Sequence, residues 1–190
     1  MDLTLINGVQ IEPITIEEAK LHLRVDGNGE DSLISSLISV SREYCENFTG
    51  RAVSVQTFEG VLPSFPSEKR IELPMPPLKE VAYVRYVNSK GEDVELSEGE
   101  DYLVITKVEP GVIYPVISKP WPVDLWDRPD AVRVKFTAGY DVIPNIIRQA
   151  MLLLIGHFYE NREAVAQGNA AYELPFAVKA LLFQYKIARW

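Results

Sequence analysis

The chain has 190 residues, enough for one domain or for a helical core that carries a second, smaller body. An apolar fraction of 47% and a charged fraction of 24% are those of a chain that folds around a core and exclude a disordered segment. Twenty-seven acidic against nineteen basic side chains give a formal charge of −8, which argues against gripping nucleic acid, because phosphates are neutralised by clustered lysine and arginine.

The opening residues, MDLTLINGVQIEP, lack the basic, apolar and small-residue parts of a secretory signal, and synthesis in the cytoplasm is expected. In PITIEEAKLHLRV, Thr15 followed by Glu18 matches the capping box, in which each side chain satisfies a free N–H at the other's position, and a short helix starts there. Asp26-Gly27-Asn28-Gly29 breaks it. From about Asp31, Leu33, Ile34, Leu37, Ile38, Ser41, Tyr44, Cys45 and Phe48 recur at helical spacing, Ser41 being the one polar member of the stripe. Gly50 stands where a left-handed residue would end this second helix.

Ten of the thirteen prolines fall between Arg51 and Tyr140, which rules out long helices there. Short β-rich runs replace them: Val53 to Leu62, Arg70 to Leu73, Glu80 to Asn88, Asp93 to Leu96, Tyr102 to Val108, Val112 to Tyr114 and Ala131 to Thr137. Asn88-Ser89-Lys90-Gly91 between two alternating runs marks a hairpin, since Asn and Gly accept the positive φ of tight turns. Pro144 suits a first helical position, and NIIRQAMLLLIGHFYENRE then runs about five turns. Its Leu152 and Leu153 spread apolar character beyond one face, as on a helix covered from several sides, and are candidates for a contact between subunits. The stretch 150–156 is far shorter than the ~20 residues of a membrane span, and no membrane partner is expected. Ala164 to Leu174 reads as a loop, after which Pro175 opens a last helix, FAVKALLFQYKIARW.

The fold class expected from this order is α+β: a helical core of two N-terminal and two C-terminal helices with an inserted antiparallel β subdomain. The boundaries are 1–50 for the N-terminal part of the core, 51–143 for the insertion and 144–190 for the C-terminal part with its docking helix.

Chemistry has little to rest on. Asp26 to Asp31 resembles the start of a calcium loop, but Asp31 stands at the sixth position where glycine is required and Leu37 at the twelfth where a carboxylate is required, so a polar turn is expected. His22 and His157 have no second His or Cys at ligand spacing, and Cys45 on the apolar stripe reads as a small buried hydrophobe without a disulfide partner. Catalysis by His157 with Glu160, three residues on, lacks a nucleophile. Asn47-Phe48-Thr49 is a coincidental glycosylation triplet in a chain without a signal peptide. The nucleophile elbow, the phosphate-binding loop and the dinucleotide fingerprint are missing. No catalytic residue, cofactor or metal is expected. Trp121 and Trp126 in KPWPVDLWDRPD either close the β core or present aromatics to a carbohydrate or protein ligand, the competing reading of the chain as a binding module.

After Glu173 there is no acidic side chain. The C-terminal segment instead sets cations among apolar and aromatic residues, and Lys179, Leu182, Tyr185, Lys186, Arg189 and Trp190 form a candidate partner interface, weighed against plain core packing.

Taken in order, PITIEEAKLHLRVD, the polar turn, EYCENFTGR, IELPMPPLKEVAYVRYV, DAVRVKFTAGYD and IPNIIRQAMLLLIGHFYENRE resemble the phage head-tail connector, or adaptor, family, in its longer members with a β insertion. The resemblance implies a virion structural protein without catalytic residues, assembled in the host bacterial cytoplasm. It implies a ring, commonly of twelve subunits, in the virion, and leaves the state of the isolated subunit, monomer or ring, open. That ring would lie between the portal protein and the head-closure or tail proteins, and DNA would pass through it without sequence-specific binding. An acidic subunit fits such a conduit, because it repels phosphates and lets a duplex slide.

Overall fold

The computed structural model describes residues 1–67, 70–161 and 176–187. Among them the order is β1 (Asp2–Asn7), α1 (Ile16–Leu23), α2 (Asp31–Thr49), β2 (Gln56–Leu62), β3 (Ile71–Leu73), β4 (Leu78–Val87), β5 (Asp93–Leu96), β6 (Tyr102–Ile105), β7 (Gly111–Pro115), β8 (Val132–Ala138), α3 (Asn145–Glu160) and α4 (Phe176–Phe183), an α+β architecture. The chain forms two compact units, Met1–Gln10 with Val55–Tyr140, and Ile11–Ser54 with Asp141–Trp190.

The first unit holds the strands, in one sheet ordered β1-β2-β8-β4-β5 and another ordered β3-β7-β6, each strand antiparallel to its neighbours. Strand β8 has the period of two that a one-sided sheet demands: Val132, Val134, Phe136 and Ala138 are buried, while Arg133, Lys135 and Thr137 between them reach solvent. Phe136 lies directly opposite Phe58 of β2 with ring centroids 5.6 Å apart, a cross-strand pair of the kind that stabilises a sheet by up to ~1 kcal/mol. Gly111 opens β7 against β4 so tightly that a Cβ there would stand 2.5 Å from the Cβ of Leu78, which excludes any larger residue. The Asn88 turn forms as its composition requires: Asn88 Oδ1 accepts the N–H groups of Lys90 and Glu92 at 3.0 and 2.9 Å, and Gly91 takes φ +82°.

The first ten residues, assigned by pattern to the helical part, instead supply β1, which pairs with β2 and joins the β unit. Their signal is short: Leu3-Thr4-Leu5-Ile6 ahead of Asn7-Gly8. Residues 51–54, assigned to the β section, stay with the helices, because the Val53 N–H donates to Glu46 Oε1 at 3.0 Å.

In the second unit α1, α2 and α3 pack on one another and α4 packs on α3 and α2. Ile34, Ile38, Ser41 and Cys45 of α2 are buried, with Ile147, Ala150, Met151, Leu154 and Ile155 of α3. Thr15 caps α1 by accepting the Glu18 N–H at 3.2 Å. The reciprocal half of the capping box does not form, since the Glu18 carboxylate is held by Arg148 of α3, whose Nε donates to it at 2.6 Å. Gly50 ends α2 in the left-handed conformation, φ +73°, and Pro144 sits at the N-cap of α3 instead of its first turn. The last helix is shorter than its pattern: α4 ends at Phe183, and a turn closes with the N–H groups of Tyr185 and Lys186 donating to Leu182 and Phe183. The loop expected over 164–174 lies outside the described residues.

Candidate interaction surfaces

Buried Ser41 Oγ finds no hydrogen-bond partner among the described residues, but the charged groups of the helical unit around Arg42 are occupied by one another. Arg42 reaches Glu12 Oε2 through Nε at 3.0 Å and Glu46 Oε2 through NH1 at 2.8 Å, and Ser39 Oγ donates to Glu12 Oε1 at 2.8 Å. Burial opposes charge on Arg42, but hydrogen bonds and attraction from Glu12 and Glu46 outweigh it and raise its pKa. Since Glu46 also holds the Val53 N–H, this network fixes against α2 both residue 12 and residue 53, next to the points where the chain passes to the β unit.

The polar turn after α1 is closed by Lys20, whose Nζ donates to Asn28 Oδ1 at 3.0 Å and pairs with Asp31. An ammonium thus occupies the place a cation would take. Cys45 is buried, and burial, with Glu46 beside it, pushes its thiol up to about 12, so it is inert at neutral pH. His22 is exposed on α1; the His157 ring meets Phe158 edge-on, and its carbonyl accepts from Asn161 Nδ2 at 2.7 Å. Among the described residues no three His, Cys, Asp or Glu side chains group so as to hold a metal, and no helix is long and apolar enough to cross a membrane.

The two tryptophans of the β unit part company. Trp121 is buried and stacks on Phe65 with centroids 4.7 Å apart and planes 6° apart, closing the core. Trp126 is 49% exposed, on a loop whose backbone is tied to the end of β4 by Trp126 N–H to Val87 O at 2.9 Å.

The C-terminal candidates also divide. Leu182 is fully buried together with Val178, so it anchors α4 in its own unit and is no docking residue. Tyr185 serves the fold through its backbone, its carbonyl accepting from Arg51 Nε at 2.6 Å with the Arg51 guanidinium 5.8 Å above the ring. Ile187 then donates its N–H to Thr49 O at 2.8 Å, satisfying one of the carbonyls left free at the end of α2. Lys179 and Lys186 are exposed, the latter with Nζ 5.5 Å from the Phe48 ring. Arg189 and Trp190 lie outside the described residues. Sequence reasoning missed the outward face: Phe176 and Phe183 are 84% and 71% exposed, on the side of α4 opposite Val178 and Leu182. Their spacing of seven was the available signal. On α3, Leu152 and Leu153 are half-buried and keep apolar surface open beside the fully buried stripe.

Comparison with known proteins gives this arrangement a context. A family model described as head completion protein matches residues 12–172. A chain from the neck of an empty GTA particle computed with C6 symmetry superimposes with TM-score 0.81 at 23% identity, covering 100% of this chain and 97% of that one. A chain from the virion of a native gene transfer agent particle gives 0.80 at 24% identity, and one from the neck of a native particle computed with C12 symmetry gives 0.79 at 21%, each with the same coverage. No curated protein matches the sequence.

Proposed function

We propose, because this chain belongs to the head completion protein family, that it is a structural subunit of the head-tail connector of a tailed-phage-like particle. It works as architecture and not as an enzyme, and its place is the virion. The observation that carries this reading is the family match from residue 12 to residue 172. The fold it shares with chains of gene transfer agent necks supports it.

In this role the helical unit is the core, Val55–Tyr140 interrupts it in sequence, and twelve copies close a ring between the portal protein and the head-closure or tail proteins. Copies assemble in the host bacterial cytoplasm and stay monomeric until the portal is met. A formal charge of −8 suits a conduit that repels phosphates and makes no sequence-specific contact with DNA. Leu152 and Leu153 contribute to the contact between neighbours, where their open apolar surface gains cover. The end of the C-terminal segment, from Lys186 onward with Arg189 and Trp190, docks on the portal, its cations and aromatic residue having the composition of interface hot spots. The rival reading, a β-domain module for a carbohydrate, loses its paired aromatic platform because Trp121 is spent on the core.

Electron microscopy of the purified protein with and without its portal tests the proposal, with rings on the portal as the expected result. A protein that never joins the portal, alone or in assembled particles, would overturn it. The docking residues are tested by removing residues 188–190 and changing Lys186→Glu, which leaves the Ile187 bond to Thr49 in place. The altered protein is expected to melt as the parent does and to lose the portal. Undiminished portal binding would exclude this end as the docking element.

A further inference from the structure

Two exposed features of the chain, one on each unit, are each apolar at the centre and opposite in charge. On α4, Phe176 and Phe183 flank Ala180 on the outward face, with Lys179 beside them, all exposed to solvent. The small side chain between two large rings leaves a notch, and the described residues 176–187 contain no acidic group. Two phenylalanines left in water on one helix face are unusual for a surface with no partner.

The second feature is the loop that carries Trp126. Its indole lies over Gly91, where a Cβ would come within 3.7 Å of the ring, and the Arg128 guanidinium stands 5.3 Å from the ring centroid. Asp130 holds that guanidinium at Nε and NH2, at 2.5 and 2.6 Å. The ring is therefore placed before any partner arrives, which lowers the entropy cost of binding. Asp124 and Asp127 on either side are exposed, as is Val123 at 94%. The result is a fixed aromatic knob with an acidic rim.

We infer that Trp126 of one copy seats in the Phe176–Ala180–Phe183 notch of a neighbouring copy, with Asp127 facing Lys179. The occupant is a second copy of this chain because the chain carries both halves, opposite in charge and both apolar at the centre. Two different patches meeting head to tail make a heterologous contact, the kind that closes a ring. The inference rests on the connector reading above and names one contact within that ring.

The test mixes full-length chains carrying Asp127→Cys with chains carrying Ala180→Cys, in necks assembled with the portal, under mild oxidation. Buried Cys45 does not compete, and both positions are exposed, so neither change threatens the fold. The expected product is a disulfide-linked dimer formed only in the mixture. Lys179→Glu is expected to slow ring formation about tenfold, and Asp127→Lys in the same chain to restore it, as for a charge pair across an interface. Rings without the mixed dimer would overturn this contact and leave the connector standing. So would dimers of the Asp127→Cys chain with itself in place of the mixed dimer. Absence of any ring from assembled necks would overturn both readings.

Discussion

Arg85 on β4 and Arg133 on β8 stand directly opposite each other in the antiparallel register, cation facing cation. Like charges in that position destabilise a sheet. They are tolerated because the edge strand β5 supplies a carboxylate to each: Glu95 Oε2 accepts from Arg85 Nε at 2.7 Å, and Asp93 Oδ2 from Arg133 NH2 at 2.6 Å. The hydrogen bond that Arg85 donates to Glu95 is the chief cause of the raised Arg85 pKa. Glu95→Gln is expected to lower the melting temperature and to speed amide exchange along β5. The deficit should shrink as salt is added, because salt screens the exposed repulsion that remains. A deficit independent of salt would place the effect in packing instead.

Asp101 is the group whose charge should matter in acid. Its carboxylate accepts the Ser97 N–H at 2.8 Å and pairs with Lys119, and these partners hold its pKa below the usual 3.8. A depressed carboxylate contributes stability above its unfolded pKa, and that contribution is lost as pH falls through the folded one. Asp101→Asn should therefore cost about 1 kcal/mol at pH 7. Melting curves of the two proteins should begin to converge below about pH 4 and meet only once pH has fallen through the depressed folded pKa. A deficit that persists unchanged at pH 2 would exclude the ionised form as its source.

Arg42 should be the costliest single change in the helical unit. Arg42→Met keeps the stem but leaves Glu46, 7% exposed, without its cation, and breaking a buried pair in this way costs about 3 kcal/mol or more. Denaturant unfolding measures it. Pairing the change with Glu12→Gln and Glu46→Gln should recover part of the loss, since the uncompensated charges then go. A loss below about 1 kcal/mol would mean that water already shares the site.

Cys45 gives a label for opening of the helical unit. With its thiol pushed up to about 12, it should react with a disulfide reagent at pH 8 only when the unit unfolds, at a rate that follows denaturant concentration. A raised thiol pKa adds stability that is complete below the unfolded value near ~8.5 and is lost as pH climbs toward the folded one. Cys45→Ala should thus flatten the alkaline limb of the stability profile between about pH 9 and 12. Rapid labelling of the native protein would contradict the burial.

What the sequence determined by itself was local. The N-cap at Thr15, the stop at Gly50, the Asn88 turn, the α2 stripe and the alternation of β8 each need only residues a few positions apart, so they could be read from spacing. The order of elements, and with it the family resemblance, followed from these signals. What tertiary structure decided were pairings across long stretches of chain. β1 is a strand because β2, some fifty residues on, offers it an edge, and Glu18 leaves its capping role because Arg148 is brought beside it. The same holds at the C-terminus. The composition of 176–187 marks a basic, aromatic helix, but packing on α2 and α3 decides that Leu182 faces inward and Phe176 and Phe183 face outward. Spacing can divide a helix into faces, but which face meets water depends on where the rest of the chain places its apolar surface, and a window of neighbouring residues carries no record of that.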